Sequence, residues 1–211
     1  EADTVVGKRQ GKESVVFTMV ERITDHYIAI KIPGRNSAGV SQAMKQLHEQ
    51  YGDRFAQVFK TITADNGPEF ENFSNSESWG TRVYFAHPYS SWERPRNERH
   101  NGMLRDYIPK GESIEKYTDE EILSFADALN SRPRRVLAYH TPEELFETFL
   151  DKVYACWESL WINIFVQFAI AIYDSYLHLF FRFSSLLLKD DNKFQHYMLF
   201  PKFWLLSWKT A

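Results

Sequence analysis

The chain opens with short runs in which β-branched and aromatic residues alternate with polar ones. Residues 2–6 (Ala-Asp-Thr-Val-Val), 14–20 (Ser-Val-Val-Phe-Thr-Met-Val) and 27–32 (Tyr-Ile-Ala-Ile-Lys-Ile) read as strands. Gly7 and Gly11 bracket the first connection and Pro33-Gly34 ends the third run, so the pattern predicts a three-stranded antiparallel meander. The period then changes. Val40, Met44, Leu47 and Tyr51 recur at spacings of four, three and four, which predicts an amphipathic helix with Ser37 as N-cap and Gly52 as its stop. Strands are expected again over residues 58–65 and 82–87, with 69–78 as a short helix or a loop. Pro88 and Pro95 exclude a regular helix between them.

From Arg96 the helical period returns: Met103, Leu104, Tyr107 and Ile108 share one face, and Pro109-Lys110-Gly111 ends it. Thr118 and Glu121 form a capping box ahead of Ile122, Phe125 and Leu129. Thr141-Pro142 opens a further helix carrying Leu145, Phe146, Phe149 and Leu150, with proline at the favoured first position. Strands followed by helices in this order predict an α/β domain with a mixed five-stranded sheet flanked by helices.

Beyond residue 154 the character shifts. All nine glycines lie at or before Gly111, whereas four of the six tryptophans and eight of the seventeen phenylalanines follow residue 154. Residues 160–188 read as a long amphipathic helix with Asn163, Gln167, Asp174, His178 and Arg182 on one face. The stretch 160–181, at 22 residues, is long enough to cross a bilayer. Asp174 within it argues against a simple span. The chain therefore divides into a domain over 1–154 and an aromatic-rich, hydrophobic tail over 155–211, either helical or read-through sequence.

Composition narrows the picture. With 44% hydrophobic and 25% charged residues, a packed core is available and global disorder is excluded. The net charge of -3 lacks the signature of a general nucleic-acid binder, although a site built of carboxylates would itself lower the net charge. Cys156 is the single cysteine, so no intrachain disulfide forms, which fits a reducing compartment. The acidic Glu1-Ala2-Asp3 opening does not resemble a signal peptide.

Three acidic residues stand at telling places. Asp3 lies in the first strand, Asp65 ends the fourth against the turn Asn66-Gly67-Pro68, and Glu98 enters the helix after the fifth, 33 positions beyond Asp65. On its own Asp65 reads as an Asx-type turn residue. Together the three are what a divalent-metal nuclease site needs, because Mg²⁺ takes oxygen ligands and keeps several waters. Two such ions can activate the attacking oxygen and stabilise the leaving one. Without a cation such carboxylates repel, by about 4 kcal/mol for one pair at ~4 Å and an effective dielectric of roughly 20. Glu98 is preferred to Glu69, which follows Asp65 across Pro68, and to Glu93, which sits in a proline-bounded loop.

The runs Asp3-Thr4-Val5-Val6-Gly7, Thr63-Ala64-Asp65-Asn66-Gly67-Pro68-Glu69-Phe70 and Tyr84-Phe85-Ala86-His87-Pro88-Tyr89-Ser90-Ser91-Trp92-Glu93-Arg94 resemble the catalytic core of bacterial insertion-sequence transposases of the IS-thirty family. So do Asn97-Glu98, Asn101-Gly102, Tyr107-Ile108-Pro109-Lys110-Gly111 and Asn130-Ser131-Arg132-Pro133-Arg134-Arg135, in the family's order. The resemblance implies a ribonuclease-H-like, retroviral-integrase-type fold and a DDE triad of Asp3, Asp65 and Glu98. It implies two Mg²⁺ or Mn²⁺ ions and no small-molecule cofactor. The partners it implies are DNA, both element ends and target, and further copies of the chain assembled on that DNA. A membrane is not expected; the place of action is the bacterial cytoplasm, at the nucleoid. Arg94, Arg96 and Arg99 flank Glu98 and are expected to contact the DNA backbone, with Arg132, Arg134 and Arg135 as a second cluster of the kind. Asn66 is expected to orient Asp65, bond a phosphate or simply form the turn. His87 is expected to contact substrate, shuttle a proton or simply be satisfied by backbone, and Trp92 is expected to pack beneath its loop rather than stack on a base. The family's N-terminal helix-turn-helix region has no counterpart in the 211 residues. The rival reading is therefore an inactive, truncated remnant that at most binds DNA or full-length transposase.

Overall fold

The computed structural model describes residues 1–8, 13–88 and 90–155. The expectations for the tail fall outside these residues. Three strands, β1 (Ala2–Val5), β2 (Val15–Val20) and β3 (Tyr27–Ile32), form an antiparallel sheet in the order β1-β2-β3, as the alternation predicts. All six residues of β2 are buried because both faces of this central strand are covered. Val15, Phe17 and Met19 enter one core with Val40, Met44 and Leu47 of α1 (Ser37–Tyr51). Val16 and Val20 enter the other with Leu104, Ile108, Ile122 and Leu129. These come from α3 (Pro95–Leu104), the turn after it, and α4 (Asp119–Asn130). The sheet is thus the middle layer between helices.

Helix α1 is capped by Asn36, not Ser37: the Asn36 side chain accepts from the Gly39 N–H at 2.8 Å. Both residue types cap well, so the preference could not be read from composition alone. The fourth strand is also shorter than its β-branched run. Phe55–Val58 is a helical turn, α2, and β4 is Thr61–Ala64, which leaves Asp65 just past the strand end. Strand β5 spans Arg82–Phe85 and pairs parallel with β4. Residues 68–79 resolve into two 3-10 turns, Pro68–Phe70 and Phe73–Trp79. A last helix, α5, covers 142–155. The capping box expected at Thr118 forms, and Thr141 makes a second one, each threonine hydroxyl accepting an N–H while the glutamate three residues on accepts the threonine N–H.

Among the described residues the strands form a three-stranded and a two-stranded ladder, not one five-stranded sheet. Strand β1 lies beside β4, and Ala2 and Ala64, both fully buried, share one core. The junction is held by that apolar contact and by side chains rather than by backbone pairing.

Candidate active site

Alternation along β1 turns Asp3 and Val5 toward α3 and Ala2 toward α1, matching the cores in which Val5 and Ala2 are found. Asp3 Oδ1 accepts the Thr4 N–H at 2.8 Å, and Oδ2 accepts from Asn101 Nδ2 at 3.3 Å. The Tyr27 hydroxyl donates to Asn101 Oδ1 at 3.0 Å, so a chain from β3 through α3 fixes one face of the carboxylate. Burial pushes the Asp3 carboxyl above its usual range, against the lowering effects of the Thr4 hydrogen bond and the Arg94 charge. Asp65 Oδ1 accepts the Asn66 N–H, and the Asn66 amide donates to Ala86 O at 2.6 Å. Asn66 therefore ties the ends of β4 and β5 together and sets the turn that carries Asp65.

The two aspartates meet at Arg94. Its Nη1 lies 3.5 Å from Asp3 Oδ2 and its Nη2 lies 3.1 Å from Asp65 Oδ2. Arg94 is only 7% exposed, so its guanidinium faces the carboxylates and not solvent. Glu98 stands one helical turn before Asn101 on α3. Its side chain is exposed and makes no hydrogen bond or ion pair among the described residues. No group of three His, Cys, Asp or Glu side chains lies close enough to hold a metal ion among those residues. The structure thus joins Asp3 with Asp65 and leaves Glu98 outside the pair.

The helix bearing Glu98 is docked firmly. The Arg96 and Asn97 N–H groups both donate to Glu1 Oε2, at 3.0 and 2.9 Å, a carboxylate at a helix N-terminus where orphan donors and the dipole favour it. Asn97, fully buried, also donates to Glu1 O at 3.1 Å and accepts from the Thr18 hydroxyl at 3.2 Å. Arg96 pairs with the fully buried Asp25, and Arg134 lies 3.8 Å from the same carboxylate. Arg134 Nη1 is 2.6 Å from His100 Nε2, while His100 Nδ1 is 2.6 Å from Arg96 O. A carbonyl only accepts, so Nδ1 carries the proton and Nε2 accepts from the guanidinium; burial lowers the His100 pKa and keeps the ring neutral. Arg96 and Arg134 are therefore engaged inside the fold, and Arg99 is the exposed arginine beside Glu98.

His87 is exposed, with Nδ1 2.9 Å from Glu93 Oε1 and its N–H donating to Glu93 Oε2 at 2.9 Å. Glu93 thus pins the loop. Trp92, expected to pack beneath that loop, is 73% exposed, because the turn at Ser91–Glu93 carries its side chain outward. Glu69, passed over in favour of Glu98, lies outside the aspartate pair. It is buried, accepts from the Thr4 hydroxyl at 3.1 Å and pairs with Arg35 at 2.6 Å. The contacts of Asn101 and Tyr27 that fix Asp3 and the bridging role of Arg94 escaped the reading of the sequence. Asn101 was reachable in principle, since it lies three residues from Glu98 and shares its helical face.

This backbone resembles the catalytic core domain of BIV integrase, with a TM-score of 0.53 and 22% identity, over 72% of this chain and 95% of that one. No family model matches the chain. It is 40% identical over 147 residues to a probable transposase for the insertion-like sequence element IS1161 of Streptococcus salivarius, covering 70% of this chain and 41% of that protein. It is 35% identical over 148 residues to the transposase InsI of element IS30A of Escherichia coli, covering 70% and 37%. The chain is thus similar, over about 70% of its length, to IS30-type insertion-sequence transposases. It spans about two fifths of the length of these curated relatives. The transposase relationship and the integrase-type backbone bear on the same α/β domain, whose β1 and β4 bring Asp3 and Asp65 together. None of the described helices is long and apolar enough to cross a membrane.

Proposed function

We propose that the chain is the catalytic segment of an insertion-sequence transposase, cutting DNA at element ends and joining the freed 3′-hydroxyl to a target strand. Asp3, Asp65 and Glu98 are the metal-binding triad in this reading, and the setting is the bacterial cytoplasm at the nucleoid. The observation that carries it is the convergence of two strand-end carboxylates on one cation, in a chain related to transposases. The donor set fits Mg²⁺ or Mn²⁺, since both groups offer carboxylate oxygen and both already hold a positive charge between them. The bound ions would supply activation of the attacking oxygen and neutralisation of the leaving one.

The protein's own residues supply position. Asn101 and the Thr4 N–H aim Asp3, Asn66 fixes the turn that presents Asp65, and the Glu1 cap holds α3 so that Glu98 has a rigid base. Glu98 shares the face from which Asn101 reaches Asp3, and its carboxylate, unpaired among the described residues, would join the site without breaking a contact made there. Arg99, exposed beside Glu98, is retained as a DNA-backbone contact together with His87. The exposed Trp92 is placed to stack on an unpaired base.

One observation favours the rival reading, a chain that binds DNA without cutting it: Arg94 fills the gap between the aspartates and Glu98 stands apart. A supercoiled-plasmid nicking assay with Mn²⁺ decides. Asp3→Asn, Asp65→Asn and Glu98→Gln are each expected to lower nicking by at least roughly a hundredfold, the scale of losing a group that stabilises transition-state charge. Glu93→Gln keeps most of it. Nicking that survives Asp65→Asn, or that falls with Glu93→Gln and not with Glu98→Gln, overturns the assignment.

A further inference from the structure

We infer that Arg94 is a built-in counter-ion whose guanidinium occupies the place a divalent cation would take between Asp3 and Asp65, so that seating Arg94 and binding metal there exclude one another. The inference rests on the proposed metal-binding role of the two aspartates. Its geometric basis is specific. One nitrogen of the fork lies 3.5 Å from Asp3 Oδ2 and the other 3.1 Å from Asp65 Oδ2. The fork spans two carboxylates on different strands, where a flexible ammonium would satisfy one at a time. The residue is only 7% exposed, so its charge acts at close range with little screening.

The seat is tight but incomplete. Nη1 adds one bond, to Ala2 O at 3.3 Å, while Nε is buried without a partner among the described residues. A structural arginine meant to stay would satisfy that donor, because an unmade buried hydrogen bond is unfavourable. The position in the chain also suits movement. Arg94 sits between the Ser91–Glu93 turn and the first residue of α3, with non-helical backbone angles of φ -129° and ψ 48°. Its departure need not disturb the Glu1 cap, which is made by Arg96 and Asn97. Taken alone, departure leaves two carboxylates facing one another uncompensated. A dication entering as Arg94 leaves restores the balance, and the freed guanidinium is then available to a DNA phosphate, for which its fork is equally suited. The protein without DNA is thereby held in a metal-poor, latent state.

Mn²⁺ binding to the whole chain, read from the loss of the free-ion electron paramagnetic resonance signal, tests this in wild type, Arg94→Gln, Arg94→Lys and Asp65→Asn. Arg94→Gln is expected to bind Mn²⁺ about tenfold or more tightly than wild type, since one competing charge at close range is removed. It should melt lower than wild type in EDTA and recover with Mn²⁺, with Arg94→Lys in between. Binding in Arg94→Gln equal to or weaker than wild type, with Asp65→Asn abolishing it in both, overturns the counter-ion role and leaves the metal site standing. Absence of any Asp65-dependent binding in either protein overturns both. If Arg94→Gln fails to fold, wild type decides through the Arg94 Nε–H resonance in ¹⁵N spectra, identified by its loss in Arg94→Lys. It is expected to shift as Mg²⁺ is added, and constancy at saturating Mg²⁺ overturns the proposal.

Discussion

At the scale of single residues, the site depends on groups that touch the aspartates' neighbours as much as on the aspartates. Gly67 illustrates this. A Cβ there would run into the Glu69 carboxylate, which cannot swing away because Arg35 and Thr4 hold it in a buried place. Gly67→Ala should therefore destabilise the domain by roughly 1–3 kcal/mol, the usual range for overpacking. Adding Glu69→Ala should make the pair cost less than the sum of the single changes, as expected for residues in contact. Urea denaturation of the three variants measures both; strict additivity would show that the crowding is not the cause. The carboxylate positions themselves were legible, since Asp65 must follow a β-branched run and precede a turn. Arg94's inward course was not, because a sequence gives the presence of a basic residue but not whether it faces solvent or a neighbouring strand.

At the scale of elements, periodicity succeeded wherever burial is one-sided or a cap is local. The meander, α1 and α4 came through because their apolar positions keep one period and their ends carry turn or capping residues. It failed at β4, where Phe55–Val58 closes into a helical turn under the packing of Phe55 and Val58 in the core. It failed again at the junction of β1 and β4, since ladder formation depends on chain segments far apart in sequence. The contact between the β2–β3 turn and α5 gives an element-scale prediction. His26 stacks on Phe146 with ring centres 4.1 Å apart, and burial lowers its pKa to about 4. The unfolded chain then binds the proton first, so this contribution is intact above about pH 6.5 and is lost as pH falls from there toward 4. His26→Gln should flatten the acid limb of stability over that window. An unchanged slope between wild type and variant would assign the acid sensitivity elsewhere.

At the scale of the whole molecule, a sheet packed between helices on both faces brings three distant segments to one place: the start of β1, the end of β4 and the first turns of α3. Each is held by a different device, respectively the ladder with β2, the Asn66 tie to β5 and the Glu1 carboxylate on the helix N-terminus. That convergence explains why motifs separated by more than thirty positions read together as one chemistry. We propose that this place holds a divalent ion. Anomalous diffraction at the manganese edge from crystals of the chain equilibrated with Mn²⁺ tests it most directly. The expected result is a peak bound by Asp3 and Asp65, with Glu98 turned toward it and the Arg94 guanidinium displaced. A Mn²⁺-saturated crystal with no peak there and Arg94 still seated between the two aspartates would contradict it.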